Sequence, residues 1–314
     1  MNVFDAHCDT ISKSFRDQRS LLRENPDGHW DMKRMRSFSH YAQFFAIFHD
    51  AKGCSQQELH EIFQAQYHFF CQEINLYSDS ISFCRTVEHA KSAFENDKVA
   101  AFLSVEGADL LGCSLAGLEK AYHLGVRAVN LTWNRANALS GSAVEESDRG
   151  LSDLGKCYVQ CMQELGMLVD VSHLSEPGFW DVITLAQQPI MASHSNSQSI
   201  CKHPRNLTDE QFTALIKNNG VAGLNCYADF LGESPDFDSI LRHLEHFWAL
   251  GGENHLCLGC DWDGCDKLPQ GMEDGLGGLA RLYEYLLQKN VDNLIIDKLY
   301  YKNLARVVKQ VCIM

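Results

Sequence analysis

Short apolar runs alternate along the chain with longer stretches whose apolar residues recur every three or four positions. Eight such runs stand out, at about 2–5, 42–48, 99–105, 126–132, 167–171, 189–193, 220–226 and 255–260. Between them lie amphipathic stretches, among them 56–76, 115–124, 152–165, 177–187, 208–218 and 237–250, with the spacing of helices that bury one face. Thr208-Asp209-Glu210 opens one of these with an N-cap residue and early acids. Gly125, Gly166 and Gly220 each stand just before a strand, where a helix-ending glycine belongs. Strands alternating with helices predict a parallel sheet, and eight such units predict an α/β fold closed into a (β/α)8 TIM barrel. The competing arrangement is an open doubly wound sheet, but no glycine-rich phosphate loop follows the first strand. Without a linker, repeat or low-complexity segment, residues 1–314 read as one barrel domain. The helical stretch after the second strand and the loop around 134–150 are the expected insertions over the barrel mouth.

Composition narrows the function classes. A chain of 314 residues with 45% hydrophobic content can bury a large core. Its net charge of −14 repels phosphate backbones, so neither nucleic acid nor an anionic membrane is an expected partner. No apolar run reaches the length of a membrane span, and the first residues, with Asp5, His7 and Asp9, lack the cationic start and apolar core of a signal peptide. The 13 cysteines are scattered, odd in number and often set in apolar runs, which fits buried reduced thiols and a cytoplasmic location.

The chemistry sits where the strands end. In a barrel of this kind the active site lies at the C-terminal ends of the strands. His7 and Asp9 end the first run, Glu106 the third, His173 the fifth, His194 the sixth and Asp261 the eighth. His7 and Asp9 are two apart, so an extended segment points both the same way, an imidazole and a carboxylate suited to Zn2+. Alone, that pair could equally be a hydrogen-bonded strand end. Glu106, at the end of a buried strand, needs either a cation or a salt bridge to a helix. His173 and His194 end consecutive strands, close enough for both imidazoles to reach one ion, although each singly could be a satisfied core histidine. Asp261 is placed to take a proton from a metal-activated water. Asp170, inside its strand, is either an orienting partner of a histidine or simply buried and hydrogen-bonded.

The same residues carry a resemblance. DAHCDT at 5–10, SVEGAD at 104–109, LGVRAVNLTWN at 124–134, VDVSH at 169–173, ASHS at 192–195, HPRNL at 203–207 and LGCDWDG at 258–264 are similar to the membrane dipeptidase (renal dipeptidase) family of amidohydrolase-like barrels, over essentially the whole chain. The resemblance implies two zinc ions bridged by Glu106, one held also by His7 and Asp9 and the other by His173 and His194. It implies hydrolysis of dipeptides, often with a D-residue at the C-terminal position. The catalytic aspartate falls on Asp261 and the arginine for the substrate carboxylate on Arg205; Tyr227 matches a tyrosine near the substrate. Animal members are secreted and lipid-anchored, whereas this chain resembles a bacterial, cytoplasmic member. In one place it departs from the pattern. Where many members carry a histidine facing the scissile carbonyl, this sequence has Trp133 followed by Asn134, both expected beside the substrate.

The reading is therefore a binuclear zinc dipeptidase, with a small dipeptide as substrate and a homodimer as the assembly compatible with it. Two other readings compete. One is an amidohydrolase for another small amide, such as an N-acyl amino acid or a lactam. The other is an inactive metal-binding homologue.

Overall fold

A computed structural model describes residues 1–313 and contains nine strands: β1 (Asn2–Cys8), β2 (His40–Phe48), β3 (Ile81–Phe83), β4 (Val99–Glu106), β5 (Val126–Asn130), β6 (Leu168–Asp170), β7 (Met191–Ala192), β8 (Val221–Leu224) and β9 (Leu256–Leu258). Eight of them form a closed parallel ring, the (β/α)8 barrel: β1 pairs with β2 and β9, and β2 skips β3 to pair with β4 from Ala42↔Ala100 to Phe48↔Glu106. The ninth, β3, takes the first residues of β4, Val99 to Ala101, on the edge that later serves β5. All eight expected runs are ring strands, with the later ones shorter than their apolar stretches. Their ends bend away from the ladder into the site loops.

The barrel interior follows from alternation. At least one residue from each ring strand (Phe4, Phe44, Phe102, Ala128, Leu168, Met191, Val221 and Cys257 among them) joins a single buried cluster. Phe4, Phe44 and Phe102 are in mutual contact with centroids 5.1–5.8 Å apart. Leu304, Val307, Val308 and Val311 of the C-terminal helix Asn303–Val311 belong to the same cluster and close the floor. A second, larger cluster fills the space between the barrel and its outer helices.

Local sequence explains the helix boundaries. Ser55 with Glu58 and Thr208 with Gln211 form capping boxes at the starts of Gln56–Leu76 and Asp209–Lys217. Gly125 and Gly166 are left-handed caps, at φ 105° and 73°. At the third expected site Asn219 takes the left-handed position, φ 62°, rather than Gly220. Gly220 is required for another reason, since a Cβ there would sit 2.4 Å from the Ile190 carbonyl oxygen. The helix after β2 buries Phe63 and Phe70 in the outer cluster and bonds to the segments that follow β1 and β4, Gln66 with Ser12 and Gln56 with the Asp109 carbonyl. The loop at 134–150 does reach the mouth, where Ala143 N–H donates to the His173 carbonyl at 2.8 Å. No helix among the described residues is long and apolar enough to cross a membrane.

Candidate active site

The mouth of the barrel collects the expected residues. Glu106, the last residue of β4, sits between two groups, and its two oxygens face different ways. Oε1 lies 2.8 Å from His173 Nε2 and 3.5 Å from His194 Nε2. Oε2 lies 3.7 Å from His7 Nε2, which is itself 3.5 Å from Asp9 Oδ2 and 3.8 Å from Asp261 Oδ1. All six side chains are buried.

Backbone irregularity aims these groups. The β1–β2 register slips between Asp5 and Cys8. As a result Ala6 packs in the barrel interior while Cys8 packs in the outer cluster, and His7 turns inward; a bulge re-aims a side chain in this way. His173 and Asp261 both adopt left-handed backbone, φ 70° and 62°, which costs a non-glycine residue of order 1 kcal/mol or more and recurs at functional sites. Gly264 completes the turn: a Cβ there would stand 2.2 Å from Asp9 Oδ2 and 2.3 Å from Asp261 Oδ1.

The donor set fits divalent cations. His173 Nδ1 donates to Asn134 Oδ1 at 2.8 Å, so its Nε2 turns a lone pair toward Glu106 and toward His194 Nε2, 2.9 Å away. His194 Nδ1 is held by Ser193 Oγ at 2.6 Å. Partners on Nδ1 are what fix the orientation of a metal-binding imidazole. Both His7 nitrogens and Asp9 Oδ1 are buried with no hydrogen-bond partner, a state that a cation relieves. One ligand atom each from His7, Glu106 and His194 lies within 4.8 Å of the others, and the same holds for His7, Asp9 and Asp261.

Electrostatics point the same way. Burial, with repulsion from Asp9 and Asp261, pushes Glu106 well above the usual carboxylate range. Burial pulls His7 down, but Glu106, Asp9 and Asp261 overcome it and raise its pKa to about 10. Burial and nearby positive charge hold His173 and His194 well below their usual value. Three crowded carboxylates beside two neutral imidazoles have only His7 and Arg205 as positive neighbours, so the group attracts further cations.

A cleft of about 550 Å3 leads to this group, lined by Phe48, Trp133, Asn134, Val144, Arg205, Tyr227 and Asp261 among others. Arg205 is only 5% exposed, and its Nε and Nη2 have no partner. Burial lowers its pKa to about 10 against the opposing pull of Glu106 and Asp261. The Trp133 ring lies between Phe48 and His173, with centroids 4.9 and 6.2 Å away. Tyr227 lines the same cleft beside Phe230.

Sequence reasoning did not single out Asn225, Ser193 or Gly264. Asn225 Nδ2 donates to Asp261 Oδ2 at 3.1 Å, fixing that carboxylate. The expectation that the scattered cysteines include no Cys-x-x-Cys pair is wrong, because Cys257 and Cys260 form one. Both thiols are buried in the barrel wall, and burial raises their pKa well above normal.

Fold and site together define a metal-dependent hydrolase barrel. The family model for membrane dipeptidase (peptidase family M19) matches residues 1–313, and the chain belongs to that family. It is a peptide-bond hydrolase of the metallo-dipeptidase class. An uncharacterised protein of Klebsiella pneumoniae from the region 5′ of pqqA is 37% identical over 229 residues, 68% of this chain and 83% of that protein. An uncharacterised dipeptidase of Schizosaccharomyces pombe is 31% identical over 301 residues, 90% of this chain and 72% of that one. Among solved structures, a metallopeptidase from Rhodobacter sphaeroides liganded with a phosphinate mimic of L-Ala-D-Ala superposes with a TM-score of 0.92 at 25% identity, covering 99% of both chains. The metallopeptidase dipeptidase AC superposes at 0.91 with 27% identity, covering 99% of this chain and 98% of that one.

Proposed function

We propose that this chain is a binuclear zinc dipeptidase that cleaves dipeptides and accepts a D-residue at the C-terminal position. The observation that carries the two-ion reading is the division of Glu106, one oxygen toward His173 and His194 and the other toward His7. His7 and Asp9 would hold one ion, His173 and His194 the other, and Glu106 would bridge them. When bound, such ions polarise a carbonyl and lower the pKa of an attacking water to about 7.

The chain's own residues do the rest. Asp261 takes a proton from the attacking water at Oδ1 and passes it to the leaving nitrogen, while Asn225 holds Oδ2. The free Nε and Nη2 of Arg205 form the side-on fork of the guanidinium, which pairs bidentately with a terminal carboxylate and limits substrates to short peptides. Tyr227 and Trp133 flank the substrate. Asn134 lines the same cleft, and its Oδ1 also orients His173. The D-residue preference is supported by the R. sphaeroides relative, whose bound ligand mimics L-Ala-D-Ala. Trp133, where a histidine was expected, favours a second reading in which the amide belongs to an N-acyl amino acid or lactam. A hydrolysis panel of L,L- and L,D-dipeptides and acyl amino acids tests both. Dipeptide turnover that a chelator abolishes and zinc restores is expected, whereas turnover of acyl amino acids alone would overturn the dipeptidase reading. Cytoplasmic residence and a homodimeric state belong to the same proposal, tested by fractionation and sedimentation.

A further inference from the structure

Two buried carboxylates outside the proposed ligand set repeat one another's geometry. Asp5 stands opposite Leu258 in the β1–β9 ladder, and Asp170 stands opposite Met191 in the β6–β7 ladder. Each accepts the N–H of the residue two positions on in its own chain: His7 for Asp5 and Ser172 for Asp170, both at 3.0 Å. Each also accepts the N–H of the residue two positions beyond its ladder partner, Cys260 at 3.2 Å and Ser193 at 3.0 Å. The residues that follow Cys260 and Ser193 are Asp261 and His194, and the residue that follows Ser172 is His173.

Each carboxylate thus ties together two neighbouring strand ends that carry site residues. The ladder itself fails at these points: β1 slips register after Asp5, β6 ends at Asp170 and β7 ends at Ala192. Splaying the strands opens the mouth but leaves buried N–H groups without strand partners, and such groups must be satisfied. A carboxylate accepting two N–H bonds satisfies them and, being charge-assisted, holds them more firmly than a neutral acceptor. Both side chains are at most 1% exposed, so bulk solvent does not reach these N–H groups.

We infer that Asp5 and Asp170 are a matched pair of positioning residues, Asp5 setting His7 and Asp261, and Asp170 setting His173 and His194. The inference rests on the two-ion reading above, and it gives each carboxylate control over one ion only.

The test is a chelator-buffered zinc titration, with elemental analysis, of wild type, Asp5→Ala, Asp170→Ala and the two Asn variants. Asp170→Ala is expected to weaken one ion by about 10–100-fold, the usual effect of losing a partner behind a ligand, and to leave the other unchanged. Asp5→Ala is expected to weaken the other ion by a similar factor. His173→Ala, which keeps one ion, assigns the halves: adding Asp5→Ala weakens the remaining ion, and adding Asp170→Ala does not. The Asn variants keep an acceptor oxygen and should recover most of the affinity. A lowered thermal midpoint with unchanged zinc affinity, or equal weakening of both ions by either alanine, would overturn the inference. If an alanine variant fails to fold, its Asn counterpart should show the same one-ion selectivity at reduced size, and unselective loss there also overturns it. Wild type binding at most one ion would instead defeat the two-ion reading, and this division of labour with it.

Discussion

The two sides of Glu106 are built differently. On the Oε1 side stand two imidazoles, each with Nδ1 already held, by Asn134 and by Ser193. On the Oε2 side stand His7, whose ring nitrogens have no partner, and the carboxylates Asp9 and Asp261. The first side is neutral and fixed by hydrogen bonds before any ion arrives. The second is anionic, its His7 ring free of hydrogen bonds, with Asn225 on Asp261 and Gly264 packed against both carboxylates. The contrast teaches that one side is prepared by orientation and the other by charge. Polar partners of the imidazole Nδ1 atoms should therefore matter on the first side, and steric changes beside the carboxylates on the second.

The largest effect should come from the residue the two sides share. Glu106→Ala removes the bridge and leaves both groups short of a ligand. Both ions should be lost, with zinc affinity falling beyond the roughly 100-fold that losing an outer partner costs. Zinc titration checks this; retention of both ions would break the comparison at its root.

Next in size is Asp261→Asn, which keeps shape and the Asn225 contact but removes the base. It should lower kcat by about 10²–10⁴ with metal content unchanged. Loss of one ion instead would make Asp261 a ligand of the anionic side, as its approach to His7 and Asp9 allows. Near-normal kcat in the metallated variant would remove it from proton transfer. Measuring kcat, stoichiometry and thermal midpoint on this one protein separates the outcomes.

A smaller loss is expected at Arg205, which touches neither side's ligands. A paired guanidinium–carboxylate contact is worth roughly 1.5–3 kcal/mol. Arg205→Ala should raise KM for dipeptides about tenfold or more and change little for neutral C-terminal amides. Equal losses on both substrate types would take Arg205 away from the carboxylate. Smallest, and most specific to the anionic side, is Gly264→Ala. Its Cβ would displace Asp9 and Asp261, so the ion beside His7 should weaken while the ion beside His173 holds. Equal weakening of both ions would erase the distinction between the sides.

Much of this was legible in the sequence. The eight ring strands and the six strand-end residues follow from apolar runs and their terminating polar groups, because both are local patterns. The strand Ile81–Phe83 was not legible, since three residues carry no period. The roles of Asp5 and Asn225 were hidden for a different reason. Asp5 meets Cys260 across 255 positions, and Asn225 meets Asp261 across 36, contacts that only the closed ring creates. Gly264 carries no signal of its own in the sequence, because its necessity comes from the carboxylates beside it. Likewise the helix Gln56–Leu76 carries a clear amphipathic pattern, but its bonds to Ser12 and Asp109 come only with the closed ring.

The central claim is that Glu106 joins two different cation sites, and metal content per chain tests it most directly. Elemental analysis of fully active protein, purified without chelator and supplied with zinc, should give close to two ions per chain, and His173→Ala should give close to one with nearly all activity lost. At most one ion in a fully active wild-type sample would contradict the account.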